Sequence, residues 1–79
     1  MRKKVYIKMN DVTDVTTFAT MASRVDGDVD VFKGKYCVDG ASLMGLFGIN
    51  MPTGVMVEYP ETATEFENFL APFVVEKLD

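Results

Sequence analysis

The sequence predicts an α+β domain: one antiparallel sheet of four strands with three helices on one of its faces, in the order β-α-β-β-α-β-α. Three observations lead there. The 79 residues suffice for one core, so residues 1–79 form one domain and every strand belongs to the same sheet. Four segments alternate apolar and polar residues with the period of a strand, and three repeat apolar residues with the period of a helix. Finally, Gly34 between Lys33 and Lys35 leaves room only for a tight turn. The second and third strands therefore form an antiparallel hairpin, whereas the other strands are joined through helices, as in a split βαβ arrangement.

Each element has a residue-level reason. Lys3 to Lys8 places Val5 and Ile7 on one side of a strand and Lys4, Tyr6 and Lys8 on the other. Asn10 or Asp11 then offers a helix cap. From Val12 to Val25 the apolar positions Val15, Phe18, Ala19, Ala22 and Val25 keep helical spacing, with Thr16, Thr17, Thr20 and Ser23 opposite. Threonine and valine lower intrinsic helicity, so this helix depends on tertiary packing. Asp26-Gly27 breaks it. Asp28 to Phe32 is a strand with Val29 and Val31 inward, and Tyr36-Cys37-Val38 is its hairpin partner, with Cys37 read as a small core residue. Gly54 to Tyr59 is the fourth strand, with Val55, Val57 and Tyr59 on one face and Met56 and Glu58 on the other.

The last helix opens on Thr62-Ala63-Thr64-Glu65, a capping-box spacing. Phe66, Phe69, Leu70, Phe73, Val74 and Leu78 then make a core-facing stripe. Pro72 lies inside that stripe. It lacks an N–H and clashes with the carbonyl of Asn68, so a kink or a break is expected near Asn68.

Composition excludes several functions. Aspartate and glutamate outnumber lysine and arginine by 12 to 8, for a formal charge of −4. The basic cluster Arg2-Lys3-Lys4 has no interleaved aromatics, so nucleic acid is not the expected partner. No apolar run reaches membrane-spanning length and no signal peptide is visible. A single cysteine rules out an internal disulfide, consistent with a reducing cytoplasm. The chain has no histidine, which removes histidine acid–base chemistry, histidine ligation and phosphohistidine. No metal site, cofactor or enzymatic activity is expected.

The most informative stretch is Val38 to Asn50. Asp39-Gly40 is a turn pair, Ser42 stands where a helix begins, and Asn50 with Pro52 ends it. Leu43, Met44 and Phe47 fall on one side of that short helix, while Leu46 and Ile49 point elsewhere, toward a core. Such a helix either lies fully buried or shows one face to a partner. Because Leu46 and Ile49 already supply an inward side, exposure of Leu43, Met44 and Phe47 is the expectation.

The element order, the length and the segment Ala41-Ser42-Leu43-Met44-Gly45-Leu46 resemble HPr, the histidine-containing phosphocarrier of the bacterial sugar phosphotransferase system. The resemblance spans Val5 to Leu78. It implies an open-faced β-sandwich of four antiparallel strands and three helices, and a phosphate-carrier lineage connected with sugar transport. HPr carries its phosphoryl group on a histidine where the first helix begins, with an arginine two residues on. The matching loop here, Asn10-Asp11-Val12-Thr13-Asp14, has neither, and Asp11 and Asp14 would repel an approaching phosphate. The resemblance thus implies a degenerate member that cannot carry phosphohistidine. It also implies a regulatory serine at Ser42, phosphorylated by a kinase in many Gram-positive bacteria, although serine is equally a common helix cap and Ala41 replaces the usual lysine. Leu43, Met44 and Phe47 match the apolar patch through which HPr docks on partners. The partner implied is a phosphotransferase-system protein or a transcriptional or metabolic regulator, bound by a monomer or weak homodimer. Two alternatives stand beside it: a phosphocarrier using Asp11 or Asp14, and a structural module that dimerises through Leu43 to Phe47.

Overall fold

The computed structural model describes residues 1–76. Five strands and three helices follow in the order β1 (Arg2–Ile7), α1 (Val12–Ser23), β2 (Asp30–Lys33), β3 (Tyr36–Asp39), α2 (Leu43–Gly48), β4 (Val55–Pro60), α3 (Thr64–Leu70) and β5 (Val74–Val75). Single 3-10 turns at Met51–Thr53 and Ala71–Phe73 precede β4 and β5. The sheet order is β3-β2-β4-β1-β5, every neighbouring pair antiparallel. β1 and β2, joined through α1, therefore run in one direction with β4 inserted between them. β3 and β4, joined through α2, likewise enclose β2. Both are split βαβ units.

One face of the sheet carries the core. Val31 pairs with Val38 and Val57, Val57 with Val5, and Val55 with Ile7, so these side chains share that face. Val15, Phe18, Ala19 and Ala22 of α1, Leu46 of α2, and Phe66 and Leu70 of α3 close over it. Phe18 and Phe66 meet edge-to-face at 5.3 Å, and Tyr59 and Phe66 at 5.7 Å. Among the described residues no helix covers the other face. There Cys37, Phe32, Met56, Tyr6 and Val75 form one register row across all five strands.

Several expectations need correction. The sheet has five strands, not four, because the last apolar run leaves the helix early. α3 ends at Leu70, so the interruption falls after Leu70 rather than at Asn68. Pro72 occupies the first turn of the 3-10 segment, where its missing N–H costs nothing. The chain then extends, and Val74 and Val75 pair with Ile7 and Tyr6. Leu78, read as part of the helical stripe, lies outside the described residues. The capping box is not formed: the cap is Ala63, without a side-chain bond. Instead Pro60 O accepts from Ala63 N and Thr62 O from Thr64 N. β2 begins at Asp30 instead of Asp28, although Val29 and Val31 are both buried. α1 ends at Ser23, two residues before Val25.

Cys37 is exposed, not core. It lies opposite Phe32 on the uncovered face of an edge strand. Partial desolvation, followed by the charges of Asp30 and Glu58, pushes its thiol up, so little thiolate forms at neutral pH.

A polar network ties α3 to the sheet. The Tyr59 hydroxyl donates to Glu67 Oε2 at 2.7 Å, and Lys3 Nζ donates to the same oxygen at 2.9 Å. Burial, then the hydrogen bond and charge of Glu67, push the Tyr59 hydroxyl up from 10.0 to about 12. The bonds from Lys3 and Tyr59 hold Glu67 below the usual carboxylate range. Because the folded state retains the Tyr59 proton more tightly than the unfolded chain, this contribution is complete below pH 10 and is lost as pH rises towards about 12. That of Glu67 has the opposite sense, present at neutral pH and lost on acidification. Thermal melts should therefore show an alkaline decline that Tyr59→Phe reduces, with both chains following one another more closely above the transition than at neutral pH. Identical alkaline limbs in the two proteins would contradict this linkage.

Among the described residues no helix is long and apolar enough to cross a membrane.

Candidate functional site

The loop before α1 and the exposed side of α2 lie together at one end of the sheet. Asp11 caps α1: its Oδ1 accepts from Thr13 N at 2.8 Å. Asp14 occupies the first helical turn, where a carboxylate complements the helix dipole. Asn10 and Thr13 are exposed. Met9 is buried, and its N–H faces Met51 O at 3.5 Å, fixing the loop against the turn that follows α2. Phe47 and Asn50 share a small cleft with Met9, Asn10 and Val12.

α2 is set in place by its first residues. Gly40 N donates to Val29 O at 2.7 Å, Asp39 Oδ1 accepts from Ala41 N at 2.8 Å, and Asp39 O from Ser42 N at 3.0 Å. Ser42 is the cap, its Oγ accepting from Gly45 N at 3.2 Å. Gly45 lets the helix approach β3, since a Cβ there would stand 3.1 Å from Val38 Cβ. Asn50, left-handed at φ 63°, ends the helical path, and Pro52 follows in the 3-10 turn.

This placement separates the apolar residues of α2 into two sets. Leu46 and Ile49 are in the core, whereas Leu43 is 37% exposed, Met44 88% and Phe47 51%. Val12 adds a fourth apolar side chain, 64% exposed, at the start of α1. Its sequence signal is faint, a single valine directly after a capping aspartate. Together these residues form an apolar surface reaching from α2 to the first loop. Exposed methionine suits a surface that accommodates more than one partner shape.

Electrostatically, the loop is acidic and contains no arginine or histidine. Among the described residues, no group of three or more metal-ligating side chains accompanies Asp11 and Asp14. The Asp11 carboxylate is engaged in its cap. Chemically, the arrangement can bury apolar surface against a partner.

A scan against models of known protein families and a search of curated proteins returned no match. Solved structures do match. A phosphocarrier protein HPr from Bacillus anthracis str. Ames superposes with a TM-score of 0.65 at 20% identity, covering 95% of this chain and 96% of that one. HPr-C-His from Thermoanaerobacter tengcongensis gives a TM-score of 0.66 at 19% identity, covering 91% and 88%. The fold is that of HPr. The likeness is one of architecture, and it agrees with the resemblance seen around Ser42. Relative to the expected four-stranded HPr sandwich, the fifth strand is the addition. Among the described residues it pairs through Val74 and Val75, beyond β1.

Proposed function

We propose that this chain is an HPr-like protein of the sugar phosphotransferase system that binds a protein partner and does not carry phosphate on histidine. The observation that supports it is the exposed surface of Val12, Leu43, Met44 and Phe47 beside a first loop without histidine or arginine. Its partner is an enzyme of that system, or a regulator that reads the HPr fold. Removal of the phosphate-carrying group leaves the docking surface as the part able to act. A competitor of this kind would occupy partners without passing phosphate on.

The test is a titration of isotope-labelled protein with the first enzyme of the phosphotransferase system. Amide shifts centred on Val12, Leu43, Met44 and Phe47 are expected. Phe47→Asp combined with Met44→Asp should weaken binding by about thirtyfold or more, since central apolar contacts each contribute about 1–2 kcal/mol or more. The melting temperature should remain within a few degrees, because both side chains are exposed. Absence of any shift at about millimolar protein, where even weak contacts of this size register, would refute the reading. In a companion assay with phosphoenolpyruvate and the first enzyme, the intact mass should stay constant. Gain of a phosphoryl group would instead establish the aspartate-carrier alternative.

A further inference from the structure

A second surface, independent of the docking face, lies between the β2–β3 hairpin and α2. It is a groove of about 950 Å³ whose lining is predominantly apolar. Tyr36, Val38 and Ile49 line it together with Gly45 and Gly48 of α2. Tyr36 is 74% exposed, so the hairpin end of the sheet stands clear of the helix. The groove continues past Gly54 to Tyr6, Phe32 and Met56 of the uncovered face. That passage exists because pairing of β2 with β4 stops at Phe32 and Met56, and Gly34 and Gly54 supply no side chains to fill the notch.

Charge narrows the occupant. Among the described residues, the ionisable groups at the groove, apart from the tyrosines, are Lys33 and Lys35, and no carboxylate lines it. This is a locally cationic site on a chain of net charge −4. Lys33 Nζ makes one long contact, 3.4 Å to Gly54 O, which leaves donor capacity on its ammonium. The groove offers few polar groups for an extended peptide, and the Thr53 hydroxyl already donates to Asn50 O at 2.9 Å. A peptide lying there would find few side-chain partners for its backbone groups. An alkyl chain has none to satisfy.

We propose that the groove between the β2–β3 hairpin and α2 binds the alkyl chain of a fatty-acyl carboxylate, with the anionic head held at Lys33 and Lys35. The volume lies in the range of small-molecule sites. Binding requires both parts: an apolar chain along Tyr36, Val38 and the glycine side of α2, and a negative head at the lysines.

The probe is sodium dodecanoate below its micelle concentration, titrated into isotope-labelled protein. Dodecyltrimethylammonium supplies the same chain with the opposite charge, and acetate supplies the head alone. Saturable shifts at Gly34, Gly48 and Gly54 with dodecanoate, absent with acetate and weaker with the cation, are expected. Gly48→Leu serves as the blocking variant: a Cβ at Gly48 meets nothing within 4 Å, so the fold is kept while the groove fills. It should abolish the shifts at an unchanged melting temperature. Lys33→Glu with Lys35→Glu should weaken binding by about tenfold, a few-fold for each reversed surface charge.

Equal binding of the cation, shifts centred on Met44 and Phe47, or insensitivity to Gly48→Leu would each overturn the proposal. So would equal shifts from an acidic peptide lacking an alkyl chain, which would make the groove a peptide site. Concentration-dependent shifts of the same amides without any ligand would assign it to a second copy.

Discussion

Phe66→Ala is expected to leave the chain largely unfolded at 37 °C. Phe66 is buried and in contact with three rings: Phe18 at 5.3 Å, Tyr59 at 5.7 Å and Phe69 at 6.4 Å. It joins α3 to α1 and both to the sheet. Truncation of such a phenylalanine costs about 3–5 kcal/mol, and a domain of this size has only about 3–5 kcal/mol in total. The cost equals the reserve. Urea titration followed by circular dichroism should place the midpoint near zero denaturant at 37 °C, with a cooperative transition recovered only on cooling or with an osmolyte. Phe66→Leu, which keeps most of the volume, should remain folded with a loss of about 1–2 kcal/mol. A Phe66→Ala protein with a near-normal midpoint would show that the three-ring cluster does not hold α3 to α1.

The second large effect is expected at Gly40. A Cβ there would lie 2.5 Å from Val29 Cγ1, 3.0 Å from Val29 Cβ and 3.1 Å from Val29 O. Val29 is itself buried, so it has little space in which to move. Gly40 N also donates to Val29 O at 2.7 Å, and separating the two segments would break that bond. Gly40→Ala should therefore cost about 2–3 kcal/mol, the upper part of the range for overpacking a tight site. The consequence extends to binding, because Gly40 lies within the Asp39–Ser42 turn on which α2 is seated. Partner affinity measured on the folded fraction should fall although no docking residue has been changed. Combining Gly40→Ala with Val29→Ala removes the contacted methyl and should cost less than the two single changes together. Strict additivity in that cycle would place the cause elsewhere.

How much of this was readable beforehand depends on which force decides each element. The alternation in β1, β2 and β4 and the hairpin at Gly34 were legible because one face of each strand is packed and the turn leaves little choice. The division of α2 into an inward pair, Leu46 and Ile49, and an outward trio was legible from helical angle alone. The end of α3 was not. Phe73 and Val74 continue the helical spacing, so periodicity favours a longer helix, and the outcome rests on Pro72 and on the availability of β1 as a partner for Val74 and Val75. Cys37 was misplaced for a related reason: period two says that Cys37 and Val38 face opposite ways, but not which face of an edge strand is uncovered. The Thr62–Glu65 spacing misled because a local turn, with Ala63 N bonded to Pro60 O and Thr64 N to Thr62 O, makes Ala63 rather than Thr62 the residue before the helix. Of the candidate site, the apolar trio and the absence of histidine were visible in the residues. Val12 and the glycine-lined groove became visible only once distant segments were brought together.

The position of β1 in the sheet governs the order of events during synthesis. β1 has no sequence neighbour as a pairing partner; Val5 pairs with Val57, and Tyr6 with Val75. The first strand of this domain must therefore wait for a partner that is synthesised about fifty residues later, which at ordinary elongation rates takes several seconds. Until then its Val5 and Ile7 edge is unpaired and open to other chains. Closure over so long a separation also places the domain among slower folders for its length. The apolar face of α2, with Leu43, Met44 and Phe47 exposed, is synthesised within that interval, before β4 is available to β1.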